Sequence, residues 1–123
     1  MPAKTIFVID DDESIRALLE VFLSTLGYKV CLAKTAIEAD GLLAKNSRPD
    51  LILLDIMMPQ LNGLEFAKKL NAQGSPAIPI IIMTALKDEE TARDALEAGC
   101  VDFISKPFRT EDLKRRIERA LTP

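Results

Sequence analysis

The sequence predicts an α/β fold built on a doubly wound, five-stranded parallel sheet. Five short apolar segments alternate with five amphipathic segments along the 123 residues. Two of the apolar segments, Leu51–Leu54 and Ile78–Met83, contain no polar side chain, which is typical of central strands covered on both faces. Successive strand–helix units join parallel strands by right-handed crossovers, so helices cover both faces of the sheet. We expect a single domain over residues 1–123.

The first strand–helix unit follows from residue spacing and turn residues. Thr5–Ile9 predicts a strand, and Glu13–Leu26 predicts an amphipathic helix that Asp12 caps and Gly27 ends. Apolar side chains at three- and four-residue spacing are expected to face inward on this helix. They are Ile15, Leu18, Leu19, Phe22 and Leu26.

The second and third units alternate in the same way. Tyr28–Ala33 alternates polar and apolar side chains, which indicates an edge strand with one solvated face. Thr35–Asn46 predicts the second helix, with alanine and leucine side chains facing inward. Leu51–Leu54 predicts the third strand, and the third helix is expected at Leu64–Gln73, between an Asn-Gly turn and a Gly-Ser-Pro break.

The last two units complete the sheet. Ile78–Met83 predicts the fourth strand, and Asp88–Ala98 predicts a fourth helix stopped by a glycine. Val101–Ser105 predicts the fifth strand. The fifth helix is expected at Thr110–Leu121, with Thr110 as its cap.

Composition excludes several classes of function. The net charge is −3, whereas direct nucleic-acid binding usually shows as a basic surplus. The chain has no histidine, which excludes imidazole-ligated zinc, catalytic triads and a phosphohistidine of its own. No stretch approaches the roughly 20 apolar residues of a membrane span, so we expect a cytoplasmic protein without membrane contact. Cys31 and Cys100 are interpreted as buried, reduced thiols.

Reactive side chains stand at the predicted carboxyl ends of four strands. Asp10 and Asp11 follow the first strand, Asp55 the third, Thr84 the fourth, and Lys106 the fifth. Ligands of such sheets bind at this edge, where the strand order reverses. In the order 2-1-3-4-5 the reversal lies between the first and third strands, beside the three aspartates.

These side chains suit a divalent cation and a phosphoryl group. Carboxylates without Cys or His ligands select a hard cation, Mg²⁺ or Mn²⁺. Asp55 is a candidate carboxylate nucleophile, and Lys106 and Thr84 would contact phosphoryl oxygens. The alternative for the Asp10–Asp12 triplet is a solvated helix N-terminus, where the helix dipole favours acids.

The sequence resembles the receiver domain of bacterial response regulators, from Ile6 to Leu121. The resemblance rests on Asp10-Asp11, Leu53–Pro59 with Asn62-Gly63, Thr84-Ala85, Phe103 and Lys106-Pro107-Phe108. It implies a flavodoxin-like (βα)5 three-layer sandwich. It also implies a signalling switch rather than an enzyme that acts on a separate substrate.

The resemblance implies how such a switch would be charged. A sensor histidine kinase or phosphotransfer protein would pass a phosphoryl group from its phosphohistidine to Asp55. Mg²⁺, with Mn²⁺ possible, would be held by Asp10, Asp11, Asp55 and the backbone carbonyl of Met57.

The resemblance also implies how the signal would leave the domain. Thr84 and Phe103 would shift, changing the surface of the fourth helix, fifth strand and fifth helix, which an output domain or partner protein reads. Lys106 would be followed by a cis Pro107. From the residues alone, simple packing of Phe103 and an ordinary trans Pro107 remain open.

Opposite charges on the fourth and fifth helices leave two oligomeric states open. Acids dominate the fourth helix and bases the fifth, which permits a phosphorylation-promoted homodimer with reciprocal ion pairs. Two ordinary solvated faces on a monomer are the alternative, and the one we favour. The charged residues are Asp88, Glu89, Glu90, Arg93, Asp94 and Glu97, then Lys114, Arg115, Arg116 and Arg119.

Two other function classes compete with the switch. A small haloacid-dehalogenase-like phosphatase also uses an aspartyl nucleophile, but Glu13-Ser14 replaces the expected Gly-Thr and Asp55 would lack a role. A flavodoxin-like cofactor binder needs a Gly- and hydroxyl-rich loop after the first strand, where this chain is acidic. Turnover of para-nitrophenyl phosphate or yellow colour on purification would indicate them.

Overall fold

Five parallel strands form one sheet in the order β2-β1-β3-β4-β5. A computed structural model describes residues 3–45, 48–56, 63–73, 78–85 and 89–122. The strands are β1 (Thr5–Ile9), β2 (Lys29–Ala33), β3 (Leu51–Asp55), β4 (Ile80–Thr84) and β5 (Asp102–Ser105). The helices are α1 (Glu13–Thr25), α2 (Ala36–Lys45), α3 (Gly63–Gln73), α4 (Glu89–Glu97) and α5 (Thr110–Leu121). The predicted fold class and strand order are confirmed.

The core has two layers because the central strands are covered on both faces. Alternate strand residues point to opposite faces. One face packs against residues of α2, α3 and α4, such as Ala39, Phe66 and Ala95. The other packs against residues of α1 and α5, such as Leu19 and Leu113. Every residue of β3 and β4 is buried. This burial fixes the position of each strand end relative to the hydrophobic core.

The strand register sets the position of the acidic residues. Ile9 is paired with Leu54 across the contact between β1 and β3. Asp10 and Asp55 are the next residues on these two neighbouring strands, so they leave the hydrophobic core at the same level. Asp55 is itself the last residue of β3, paired with Met83, and not the first residue after the strand as the sequence suggested.

The predicted N-cap residue is confirmed for α1 and wrong for α5. Asp12 caps α1, because its Oδ1 accepts hydrogen bonds from the backbone N–H groups of Ser14, at 2.9 Å, and Ile15, at 3.4 Å. The prediction that Thr110 caps α5 is wrong. Thr110 is the first helical residue, and the N-cap position is taken by Arg109, which makes no side-chain cap bond.

Other differences concern element ends and one helix face. β4 was expected to begin at Ile78 but begins at Ile80, since Pro79 has no N–H to donate to the sheet. Pro79 still accepts a 3.0 Å hydrogen bond from Ile52 through its carbonyl. On α1, Leu18 is 47% exposed, contrary to the expected inward face, whereas Leu23 is fully buried. Leu19 and Leu23, four residues apart, define the buried face.

The two cysteines lie in different environments. Cys100 is buried, as expected, but Cys31 on the edge strand β2 is only half-buried. Burial raises the pKa of the Cys100 thiol from 9.0 to about 11. In the described parts of the chain, we find no helix with both the length and the apolar character that crossing a bilayer requires.

The buried thiol predicts an alkaline loss of stability. The unfolded chain releases the Cys100 proton at lower pH than the folded chain, so this contribution is complete below pH 9 and disappears as pH rises through about 11. Urea titrations from pH 8 to 11 should therefore show a steeper decline of unfolding free energy for wild type than for Cys100→Ala. Cys31→Ala is the matched control and should keep the wild-type decline. Parallel curves for wild type and Cys100→Ala would contradict this assignment.

Candidate functional site

Three carboxylates converge where β1 and β3 end. Oxygen atoms from Asp10, Asp11 and Asp55 all lie within 4.8 Å of one another. Asp10 is fully buried and Asp55 is 4% exposed, whereas Asp11 is open to solvent. This acidic cluster therefore has a buried floor and an exposed rim. Oxygen ligands at this spacing fit a hard divalent cation, which commonly takes one or two carboxylates and keeps several waters.

Asp10 is held through all four of its polar atoms. Its N–H donates to Ala33 at 3.0 Å, and its carbonyl accepts from Arg16 Nη1 at 2.8 Å. Its carboxylate accepts from the Asp12 N–H at 2.9 Å, through Oδ1, and from Lys106 Nζ at 2.7 Å, through Oδ2. A buried carboxylate requires such partners. Asp10 is therefore held firmly in place within the cluster.

Lys106 carries a positive charge from β5 into the acidic cluster. Its Nζ lies 2.7 Å from Asp10 Oδ2 and 3.4 Å from Asp55 Oδ2, so Asp10 is the closer partner. Its backbone N–H also donates to the Thr84 carbonyl at 2.6 Å, which ties the residue to the end of β4. The ion pair is largely shielded, with the lysine side chain 17% exposed and that of Asp10 fully buried.

The environment of Lys106 acts on its pKa in two directions. Burial lowers the pKa of Lys106, but the hydrogen bond and charge of Asp10, followed by those of Asp55, outweigh burial. The pKa is therefore raised above its ordinary value of 10.5. The lysine is an ammonium at neutral pH and neutralises part of the acidic cluster.

The other predicted site residues lie around this centre. Thr84 is fully buried at the end of β4 and is paired with Ser105, the residue before Lys106. Phe103 is half-buried in β5. The Lys106–Pro107 peptide bond is cis, as the resemblance implied. The predicted ligand Met57 lies outside the described residues.

Two arginines donate hydrogen bonds to backbone carbonyls of the sheet region, a role that the sequence analysis did not predict for either. Arg16 in the first part of α1 donates to the Asp10 carbonyl. Arg116 of α5 donates to the Phe103 carbonyl at 2.8 Å and forms ion pairs with Asp102 and Asp112. A sequence signal existed for Arg16, because a cation close to a helix N-terminus opposes the helix dipole and needs a local acceptor.

Known proteins are similar to this chain in both sequence and fold. A family model described as the response regulator receiver domain matches residues 6–118. Response regulator MprA of Mycobacterium sp. (strain KMS) is 43% identical over 122 residues, which are 98% of this chain and 51% of that protein. The chain thus spans about half the length of the curated relatives it matches.

Solved structures give the same result. Chemotaxis protein CheY4 of Vibrio cholerae superimposes with a TM-score of 0.91 at 30% identity, covering 98% of this chain and 100% of that one. The BeF3-activated DrrB receiver domain gives a TM-score of 0.85 at 29% identity, covering 98% of each chain. The matched region contains every described residue of the acidic cluster.

Proposed function

This chain belongs to the response regulator receiver domain family of two-component systems, and we propose that it is a phosphorylation switch whose phosphoacceptor is Asp55. The observation that carries this proposal is the position of Asp55. Its carboxylate ends the central strand β3, lies in the acidic cluster and has the Lys106 ammonium 3.4 Å away. A receiver domain is a regulatory domain, so the chemistry serves the protein's own modification.

The proposed reaction moves one phosphoryl group between two side chains. A carboxylate oxygen of Asp55 attacks the phosphorus of a phosphohistidine on a sensor kinase or phosphotransfer protein. The new P–O bond forms as the P–N bond breaks. The electron pair of the P–N bond leaves with the imidazole nitrogen. Lys106 is already beside Asp55, so its charge is available to the incoming phosphoryl oxygens without a large movement.

The acidic cluster supports a resident Mg²⁺, with Mn²⁺ as a substitute. Asp11 and Asp55 would bind it directly, and Asp10 would act partly through water because its two carboxylate oxygens already accept bonds from Asp12 and Lys106. The carbonyl of Met57 is a further proposed ligand. When bound, the cation neutralises the carboxylates and the phosphoryl oxygens.

The proposed output runs through β4 and β5. Thr84 would turn toward the phosphoryl group and Phe103 would move with it, altering the surface formed by α4, β5 and α5. An output domain or partner protein would read this surface, either on a monomer or on a phosphorylation-promoted homodimer. We also propose that residues 1–123 form a single receiver domain that works in the cytoplasm.

The engagement of Asp10 argues against the phosphatase alternative. That reaction would use the acidic triplet as its nucleophile, with Asp10 as the first acid. Asp10 is fully buried, and both of its carboxylate oxygens already accept hydrogen bonds. Asp55, the phosphoacceptor of the proposed switch, lies in the same cluster with its carboxylate 3.4 Å from Lys106.

Removal of divalent cations is expected to prevent phosphorylation by acetyl phosphate. Clustered carboxylates repel an anionic donor unless a cation intervenes. Intact-mass measurements should show one added phosphoryl group with Mg²⁺ or Mn²⁺, and none with a chelator. Asp11→Asn should weaken Mg²⁺ binding by about tenfold or more.

Asp12→Asn is the matched control for the Asp11 variant. It removes a neighbouring exposed charge, and asparagine is as good an N-cap as aspartate. Its Mg²⁺ affinity should therefore stay close to wild type. Phosphoryl uptake in the chelated sample, or equal losses for both variants, would contradict a specific cation site.

A further inference from the structure

We propose that Arg16 is a positioning residue that sets how tightly the acidic cluster holds a divalent cation. The proposal rests on the function proposed above for that cluster. Arg16 is the fourth residue of α1, and its Nη1 donates a 2.8 Å hydrogen bond to the carbonyl oxygen of Asp10. The side chains that would contact the cation are carboxylates. Arg16 therefore affects the cation only indirectly, through Asp10 and Asp11.

The Asp10 carbonyl requires a partner that the sheet does not supply. β1 ends at Ile9, so this carbonyl lies one residue beyond the strand. Asp10 is fully buried, and a buried carbonyl without a hydrogen bond is costly. The Arg16 guanidinium supplies the bond from a half-buried position on the neighbouring helix.

That carbonyl belongs to the peptide unit that joins Asp10 to Asp11. A peptide unit is planar, so fixing its oxygen also fixes the N–H and the Cα position of the next residue. The bond from Arg16 therefore orients the backbone from which the Asp11 side chain leaves. Asp11 is exposed, yet its carboxylate lies within 4.8 Å of those of Asp10 and Asp55.

Two hydrogen bonds that involve Asp10 hold the backbone of the acidic residues Asp10–Asp12. The Asp12 N–H donates to Asp10 Oδ1 at 2.9 Å, and Arg16 holds the Asp10 carbonyl. Asp11 lies between these two attachments. Its repulsion from the neighbouring acids would otherwise turn it toward solvent. We infer that Arg16 keeps Asp11 in place before a cation arrives.

A positioning role and a purely electrostatic role of Arg16 predict opposite effects of its removal on Mg²⁺ affinity. The guanidinium is a cation next to a proposed cation site, so through charge alone its removal would strengthen Mg²⁺ binding. Through position, its removal would weaken Mg²⁺ binding, because the cluster would have to be ordered when the ion binds. The sign of the change therefore identifies the role.

The test is the Mg²⁺ dissociation constant of the full chain, measured by isothermal titration calorimetry for wild type, Arg16→Met and Arg16→Lys. Methionine keeps a linear, apolar stem and removes both the charge and the donors. We expect about tenfold weaker binding for Arg16→Met. Lysine keeps the charge with a single donor nitrogen on a shorter side chain, so we expect intermediate binding for Arg16→Lys. Unchanged or tighter binding in Arg16→Met would overturn the proposal.

Arg116→Met is the matched control. Arg116 is also half-buried, and its Nη1 donates to a backbone carbonyl of β5, that of Phe103, at the same 2.8 Å distance. This variant should lose stability but bind Mg²⁺ as wild type does. An equal loss of affinity in both variants would mean general loosening of the fold and would overturn the positioning role. Circular dichroism of each variant gives its folded fraction.

The experiment separates this proposal from the proposed function. A wild-type chain that binds no Mg²⁺ at millimolar concentration would contradict both. A wild-type chain that binds Mg²⁺, with Arg16→Met equal to it, would contradict only the role of Arg16. Phosphoryl uptake at Asp55 in saturating Mg²⁺ is expected in every Arg16 variant, since the nucleophile and Lys106 are unchanged.

Discussion

Asp55→Asn is expected to abolish phosphoryl uptake from acetyl phosphate in the presence of Mg²⁺. The variant replaces the carboxylate nucleophile with an amide of nearly the same shape, which does not form an acyl phosphate. The fold should persist, because Asp55 lies among like-charged carboxylates and its contact with Lys106, at 3.4 Å, is long. Intact mass reports the uptake, and circular dichroism reports the fold.

Asp50→Asn is the control at the opposite end of the same strand. Asp50 immediately precedes β3, is exposed, and accepts a 2.7 Å hydrogen bond from the Thr5 N–H. It carries the same charge but lies at the amino edge of the sheet, far from the acidic cluster. We expect normal uptake in this variant. Uptake that persists in Asp55→Asn would assign the reaction to another residue.

Lys106→Met is expected to lower the free energy of unfolding by about 2–3 kcal/mol in the absence of divalent cations. The change leaves the fully buried carboxylate of Asp10 without its 2.7 Å partner, next to two further carboxylates. The estimate is below the usual loss for breaking a buried ion pair because Asp11 opens the cluster to solvent. Urea denaturation with a chelator present measures this loss.

Mg²⁺ should restore much of the stability that Lys106→Met loses, because a divalent cation replaces the missing positive charge. The matched control is Lys69→Met, which breaks an exposed pair with Asp40 at 3.3 Å and should cost less than about 1 kcal/mol. Equal losses in the two lysine variants would contradict the role of Lys106 in the cluster.

The pH dependence gives an independent check on Lys106. Since the pKa of Lys106 is raised in the folded protein, its contribution is complete below the unfolded value of about 10.5. The contribution disappears as pH rises through the higher folded pKa. The difference in stability between wild type and Lys106→Met should therefore be constant at neutral pH and shrink above pH 10.5.

The meeting of the acidic residues could be predicted because it depends on topology. Parallel strands end at one edge, and the register that pairs Ile9 with Leu54 brings Asp10 and Asp55 together. The apolar runs in the sequence placed these residues at one edge of the sheet, and the expected strand order 2-1-3-4-5 made the first and third strands neighbours. Lys106 was expected near Asp55, but its closer pairing with Asp10 depends on side-chain conformation, which strand position does not determine.

Other structural features could not be predicted, because the residue pattern is compatible with more than one arrangement. Thr110 has good capping chemistry, yet it is the first helical residue of α5, and the N-cap is Arg109. Leu18 fits the apolar spacing of α1 but is exposed, whereas Leu19, as predicted, and Leu23, which was not predicted, face the sheet. The position of Arg16 near the start of α1 indicated a need for a local acceptor, but only the three-dimensional structure shows that this acceptor is the Asp10 backbone carbonyl.

The central claim is tested most directly by locating the phosphoryl group. Wild-type protein is treated with acetyl phosphate and Mg²⁺ and reduced with borohydride, which converts an aspartyl phosphate to homoserine, and its peptides are sequenced by tandem mass spectrometry. We predict homoserine at Asp55 and at no other aspartate. Homoserine at Asp10 or Asp11 instead, or no conversion despite saturating Mg²⁺, would contradict the account.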